Sequence, residues 1–190
     1  MRQIILASTS PRRKQLMGLL NIKFKVVDSG YEEIIQKHLS NEQLVKFLAL
    51  GKAQATAKKY PRAIIVAADT MVVFGGKVLG KPKNRAEAFN MLKSFSGKSQ
   101  DVITGVAVVD AISGKKIVSA TKSKTYFKKL SNKQISAYVN SGEPYDKAGG
   151  YNLQGLGLNL MGKIEGDFTN LLGMPMGVVL NALEGLGIAV

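Results

Sequence analysis

Short, uninterrupted apolar runs alternate along this chain with stretches whose apolar positions recur every three to four residues, an alternation that predicts an α/β protein. Gln3–Ala7 and Phe24–Val27 read as strands. Between them Ser10 is a suitable N-cap and Pro11 a suitable first helical residue, so a helix carrying Leu16, Met17, Leu19 and Leu20 is expected to start there. Asn41 or Ser40 caps a longer helix with Leu44, Val45, Phe47, Leu48 and Leu50, which reaches about Tyr60, carries Lys52 and is closed by Pro61. The run 63–68 predicts a buried strand, 71–74 continues extended, and Gly75-Gly76 turns the chain toward Lys77-Val78-Leu79. A helix follows from Asn84 or Arg85, with Ala88, Phe89, Met91 and Leu92 on one face.

The second half opens on two long strand patterns, 102–110 and 116–128, joined through Ser113-Gly114 as an antiparallel hairpin. Ser131 and Gln134 have capping-box spacing for a helix through Val139. The stretch 141–151 is a loop rich in glycine, charge and tyrosine, 157–164 reads as a strand, and 176–186 as a closing helix after Gly173 and Pro175. There is no repeat, low-complexity segment or flexible linker.

Length and composition narrow the class. At 190 residues and 45% hydrophobic content the chain suits a single domain over residues 1–190, with room for two lobes around a cleft. Twenty-seven Lys and Arg against thirteen Asp and Glu give a formal charge of +14, which favours an anionic partner. The lysines are scattered, so part of that excess simply solvates the surface. The chain has no cysteine, which removes disulfides and thiolate chemistry and fits a reducing cytoplasm. Its single histidine, His38, lies in a polar stretch, so a histidine triad or histidine-rich metal site is not expected. No segment reads as a signal peptide or membrane span.

Four segments place polar groups where the local pattern would bury or constrain them. In Ser8-Thr9-Ser10-Pro11-Arg12-Arg13, two arginines stand in a first helical turn, against the favoured charge order of the helix dipole. A phosphate there would take backbone N–H groups, serine hydroxyls and guanidinium forks together, whereas the plain alternative is a solvated pair beside a cap. Asp69-Thr70 ends an apolar strand, where α/β sheets present catalytic groups, although a core strand ending in a cap-like pair reads the same way. Lys81 is fixed between Gly80 and Pro82, a charge for a cleft or an exposed turn. The stretch from Asp146 to Gly155 carries Lys147, Gly149-Gly150 and Gln154, a backbone able to approach a ligand or a surface loop.

Taken together these segments resemble the Maf family of nucleoside triphosphate pyrophosphatases. The resemblance rests on Leu-Ala-Ser-Thr-Ser-Pro-Arg-Arg (6–13), Glu32-Glu33, Lys52, Ala-Asp-Thr (68–70), Leu-Gly-Lys-Pro (79–82), Ile-Thr-Gly-Val (103–106), Ser-Gly-Glu-Pro-Tyr-Asp-Lys-Ala-Gly-Gly-Tyr (141–151) and Leu-Gln-Gly (153–155). It implies an ITPase-like (Maf/Ham1-type) mixed sheet flanked by helices, two lobes around a central cleft, a homodimer in many members, and a divalent cation, Mg²⁺ or Mn²⁺. The implied reaction converts a nucleoside triphosphate to the monophosphate and pyrophosphate, a house-cleaning activity on nucleotide pools.

Carried over residue by residue, the resemblance makes Asp69 the proton acceptor, with Lys52, Lys81 and the Arg12/Arg13 fork offsetting charge on the transferring group. Ser8 belongs to the same phosphate-binding loop. Glu33, with Asp69, would hold the metal, and Glu32 competes with Glu33 for that role. Arg12, Thr70 and Gln154 match the dTTP/UTP type, whereas the 7-methyl-GTP type has Gln after the catalytic Asp and Glu in place of the later Gln. One departure is Gln100, where the family often has His. The competing functions are a nucleic-acid-binding or septation regulator without catalysis, and a pyrophosphatase for purine or modified nucleotides. The chain has no Trp, few aromatics and no nucleic-acid motif, so stable nucleic-acid binding is not expected.

Overall fold

A computed structural model of the chain describes residues 2–189. Its elements are β1 (Gln3–Ala7), α1 (Pro11–Gly18), β2 (Phe24–Val27), α2 (Asn41–Lys59), β3 (Ala63–Phe74), β4 (Lys77–Leu79), α3 (Arg85–Phe95), β5 (Ser99–Asp110), β6 (Lys116–Phe127), α4 (Asn132–Asn140), β7 (Met161–Glu165), α5 (Phe168–Leu171) and α6 (Met176–Glu184). Among the described residues seven strands join in the order β2-β1-β3-β5-β6-β7, and β4 pairs with β3. β1 runs parallel to β2 and β3, whereas β3–β4 and β6–β7 are antiparallel, so the sheet is mixed and the expected α/β class holds. Among the described residues no helix is long and apolar enough to cross a membrane.

The chain divides into two compact units, each described by itself. Among the described residues the first comprises 2–70, 103–121 and 169–189, and the second 71–102 and 122–168.

In the first unit the order β2-β1-β3 makes the chain step from β1 to one neighbour and then, past β1, to the other. Right-handed crossovers therefore put α1 and α2 on opposite faces of the sheet. α2 is set by a capping box between Ser40 and Gln43, by Glu42 in its first turn and by Lys58 and Lys59 in its last, all in the order the helix dipole favours. Its small residues Ala49 and Ala53 pack on Ile5, Ala7, Ala63, Ile65, Ala67, Ala107 and Val109 of the sheet. Gly105 of β5 permits this approach, because a Cβ there would lie 2.2 Å from the Val45 carbonyl oxygen. β5 and β6 are neighbours joined by residues 111–115, too short for a crossover, so they form the expected antiparallel hairpin.

In the second unit Phe74, Phe95, Phe127 and Tyr151 form a chain of aromatic contacts with centroids 4.9 to 5.4 Å apart. α4 has the expected Ser131–Gln134 capping box. The strand expected over 157–164 is realised only from Met161. Leu156–Leu160 is a 3₁₀ turn, because the missing side chain of Gly157 lets the backbone fold against Asn152, whose carbonyl oxygen would lie 2.5 Å from a Cβ.

Candidate active site

The parallel order β2-β1-β3 reverses direction between β1 and β3, and α/β sheets bind ligands beyond the C-terminal ends of strands at such a switch point. β1 ends at Ala7 and is followed by Ser8, while its pairing with β3 stops at Val66, leaving Asp69 and Thr70 just past the paired stretch. Asp69 is therefore not at the end of a strand, as its sequence neighbours suggested, but inside the longer β3, beyond β1's last rung.

Strand alternation then assigns the two side chains to opposite faces. Ala63, Ile65 and Ala67 pack under α2, and Asp69 continues that row; α2 presents Lys52 to it, one turn after Ala49. Lys52 Nζ lies 2.5 Å from Asp69 Oδ1 and 2.7 Å from Glu33 Oε1. The Asp69 side chain is 11% exposed and that of Lys52 14%, whereas Glu33 at 48% reaches in from the segment between β2 and α2. That segment is seated by Tyr31, whose ring covers Gly51 so closely that a Cβ there would stand 2.4 Å from it.

Thr70 faces the other way, toward α1. Arg13 of α1 donates from Nη2 to Thr70 Oγ1 at 3.0 Å, from Nη1 to Ser8 Oγ at 3.3 Å and from Nε to the Gly173 carbonyl at 2.9 Å. Burial pulls the Arg13 guanidinium below its ordinary range; Asp69 opposes this, Arg12 adds to it and Glu33 opposes it. An arginine does not deprotonate in proteins, so the same balance means an under-compensated cation that favours an incoming anion. Ser10 occupies the N-cap position without a side-chain cap bond; its own N–H instead donates to Ser8 Oγ at 3.3 Å. Backbone N–H groups of the first turn of α1 are thus not claimed by the cap side chain, and Arg12, half-buried, stands on that same turn.

The first unit therefore brings together Ser8, Arg12, Arg13, Glu33, Lys52, Asp69 and Thr70 of the residues singled out by sequence. Three participants were missed: Thr104, Asn170 and Gly173, which hold Thr70 and Arg13 from behind. Thr104 had one signal, a hydroxyl within an apolar strand.

Lys81 and Gln154 belong to the second unit. Lys81 is exposed between β4 and α3, where the Gly80 carbonyl accepts from the Gly149 N–H at 3.0 Å. Asp146 is held below the usual carboxylate range chiefly by its bond from Lys147 at 2.5 Å, with the charge of Lys81 contributing. Gln154 is exposed; its backbone N–H donates to Asn152 Oδ1 at 3.2 Å, and Glu143 accepts from the N–H groups of Leu156 and Gly157 just beyond. Gln100 is buried in β5 and neither polar atom of its amide has a hydrogen-bond partner among the described residues.

Among the described residues no three His, Cys, Asp or Glu side chains cluster as a cage for a metal ion. Glu33 and Asp69, both within 2.7 Å of one ammonium, are the oxygen donors available. Such a pair suits Mg²⁺ or Mn²⁺, which commonly uses one or two carboxylates and completes its sphere with water and phosphate oxygens.

A family model described as Maf-like protein matches residues 3–186. Over 190 residues the chain is 43% identical to the dTTP/UTP pyrophosphatase of Desulforamulus reducens, covering all of both chains. It is 44% identical to the dTTP/UTP pyrophosphatase of Methanosarcina barkeri, covering all of this chain and 97% of that one. Among solved structures, a nucleoside-triphosphatase / dITP/XTP pyrophosphatase from Mycobacterium abscessus is 17% identical with a TM-score of 0.46, covering 97% of each chain.

Proposed function

The chain belongs to the Maf-like protein family, and we propose that it is a pyrophosphatase that cleaves dTTP and UTP, with related modified pyrimidine nucleotides, to the monophosphate and pyrophosphate. The observation that carries this reading is the grouping of Asp69, Lys52, Glu33 and Arg13 at the switch point of the sheet.

In the proposed step a water oxygen bonds to the α-phosphorus, the bond from that phosphorus to the oxygen bridging to the β-phosphorus breaks, and the water proton passes to the Asp69 carboxylate. One lone pair of Asp69 is taken by Lys52, and a carboxylate has further acceptor sites with which to orient the water. Lys52 and Arg13 offset the charge that develops on the transferring group and the departing pyrophosphate. Ser8, Arg12 and the first turn of α1 receive phosphate oxygens, and Lys81 supplies a further positive charge. Glu33 and Asp69 would hold Mg²⁺ or Mn²⁺, which when bound neutralises phosphate oxygens and aligns them. Gln154 both donates and accepts, matching the carbonyl and N3–H edge of a pyrimidine.

A panel of nucleoside triphosphates with pyrophosphate detection, with and without Mg²⁺ or Mn²⁺, tests the reading. Pyrophosphate in equal amount to monophosphate from dTTP and UTP is the expected result. Orthophosphate with the diphosphate would move the cut to the β–γ bond, and preferred turnover of 7-methyl-GTP or another purine would reassign the substrate.

A further inference from the structure

Behind the cationic face of the site runs a short chain of hydroxyls. Arg13 Nη2 donates to Thr70 Oγ1 at 3.0 Å, Thr70 Oγ1 and Thr104 Oγ1 are 3.0 Å apart, and Thr104 Oγ1 reaches the Asn170 carbonyl at 3.2 Å. Thr104 is fully buried. On β5 the residues Ala107 and Val109 pack under α2 and Gly105 faces the Val45 carbonyl, so alternation turns Thr104 to the opposite face, the one Thr70 occupies.

The protons can be assigned by counting. Each threonine has one hydroxyl proton, the guanidinium can only donate, and a carbonyl can only accept. If Thr104 donates to Asn170, Thr70 donates to Thr104. If instead Thr104 donates to Thr70, the Thr70 proton goes to the Gly173 carbonyl at 3.3 Å. In both arrangements the Thr70 proton is spent inside the protein and its lone pair is turned to Arg13. The Thr70 hydroxyl therefore spends its proton inside the protein and keeps at most one lone pair beyond the one that Arg13 takes.

The far end of the chain is equally fixed. The Asn170 carbonyl also accepts from the Gly173 N–H at 2.9 Å, closing a turn whose Gly173 carbonyl takes Arg13 Nε–H at 2.9 Å. Gly173 has φ +100, and a Cβ there would crowd Thr70 Oγ1 at 3.3 Å, so the turn requires glycine. One buried hydroxyl thus braces two of the three acceptors that orient the guanidinium, the Thr70 oxygen directly and the Gly173 carbonyl through the turn, while Ser8 Oγ is the third.

We infer that Thr104 is a positioning residue that holds the Arg13 guanidinium in its phosphate-facing orientation through Thr70 and the Asn170–Gly173 turn. The kinetic part rests on the proposed pyrophosphatase reading; the orientation of Arg13 does not.

The test compares wild type, Thr104→Val, Thr104→Ser and Thr70→Val in the full chain. In ¹H–¹⁵N spectra of arginine side chains, the Arg13 Nε–H signal, assigned by its loss in Arg13→Lys, exchanges slowly with water in wild type and Thr104→Ser. It is expected to broaden or exchange rapidly in Thr104→Val. Binding of inorganic pyrophosphate weakens roughly tenfold in Thr104→Val and Thr70→Val, the scale of a lost charge-assisted hydrogen bond. The kcat/KM for dTTP and UTP falls by at least the same factor, with kcat sharing the loss because the same guanidinium offsets developing charge. Thr104→Ser restores each value.

An unchanged Arg13 signal and pyrophosphate affinity in folded Thr104→Val overturns the inference, as does equal damage by Thr104→Ser, which would assign the effect to packing of the methyl group. Should Thr104→Val fail to fold, Thr70→Val decides: wild-type pyrophosphate affinity contradicts the scheme. A wild type that hydrolyses no nucleotide removes the pyrophosphatase reading alone, and the Arg13 signal still judges the role of Thr104.

Discussion

Lys52 Nζ sits between two carboxylates, 2.5 Å from Asp69 Oδ1 and 2.7 Å from Glu33 Oε1, so a single ammonium holds the proposed proton acceptor and the proposed metal ligand together. The pairing follows from two periodicities. The row Ala63, Ile65, Ala67, Asp69 on β3 faces α2, and α2 returns Lys52 to that face one turn after Ala49.

Lys52→Met keeps the length and removes the charge. Turnover is expected to fall by roughly 10²–10³-fold, the range for loss of one group aimed at developing charge. Thermal unfolding and steady-state kinetics check this together. A folded variant with nearly normal turnover would make Lys52 a structural cation only.

Gly105→Ala tests the helix–sheet contact that sets the height of Lys52. A Cβ 2.2 Å from the Val45 carbonyl oxygen and 2.7 Å from the Lys46 nitrogen meets backbone, which cannot swing away. Destabilisation of about 1–3 kcal/mol is expected from overpacking at this backbone contact. Urea unfolding measures it, and a loss under about 0.5 kcal/mol would show that α2 can back away from the sheet.

Asp110 provides a pH dependence away from the site. Its carboxyl is held below the usual range chiefly by the bond from Ser113, with Arg2 and the Ile112 N–H adding and burial opposing. Because the folded pKa is depressed, its stabilisation is fully present above the unfolded-state value of about 3.9 and disappears as pH falls through the lower folded value. Asp110→Asn should therefore lower Tm at pH 7 and leave the acid limb below pH 4 shallower than wild type. Parallel Tm–pH curves for the two proteins would contradict this.

Much of the fold was legible because its elements are locally encoded. The Ser131–Gln134 box, the Gly75-Gly76 turn and the 111–115 connection need only neighbouring residues, whereas the cap of α2 lies open between Asn41 and Ser40 in the sequence and is Ser40 in the structure. Of the site, Asp69, Arg13 and Ser8 were visible as polar groups out of keeping with their surroundings, and Lys52 only through the family resemblance. Thr104 and Asn170 were not, since their role lies in bonds that span 34 and 66 residues and use ordinary hydroxyl and carbonyl groups. Ser10 misled in a small way: residue type and position suit a cap, yet Ser8 Oγ takes the Ser10 N–H and Ser10 makes no side-chain cap bond. The turn at Leu156–Leu160 was hidden for another reason, because alternating Leu and Gly imitates a strand while Gly157 is needed for close backbone approach.

Gln154→Glu tests base recognition. Replacing an amide that donates and accepts by a carboxylate that only accepts is expected to cost dTTP and UTP roughly ten- to a hundredfold in kcat/KM relative to a purine nucleotide, from about 1–3 kcal/mol for a polar group left unpaired against the bound base. An equal loss on every nucleotide would assign Gln154 a structural role.

The steady-state rate of pyrophosphate release from saturating dTTP by Asp69→Asn, measured with Mg²⁺ beside wild type, bears on the proposed chemistry itself. The substitution keeps size and removes charge and basicity. The expected result is a folded variant that still binds dTTP and whose turnover is lower by roughly 10²–10⁴-fold, as for loss of a general base. A folded, nucleotide-binding Asp69→Asn that releases pyrophosphate near the wild-type rate would contradict the account and move the role to Glu32 or Glu33.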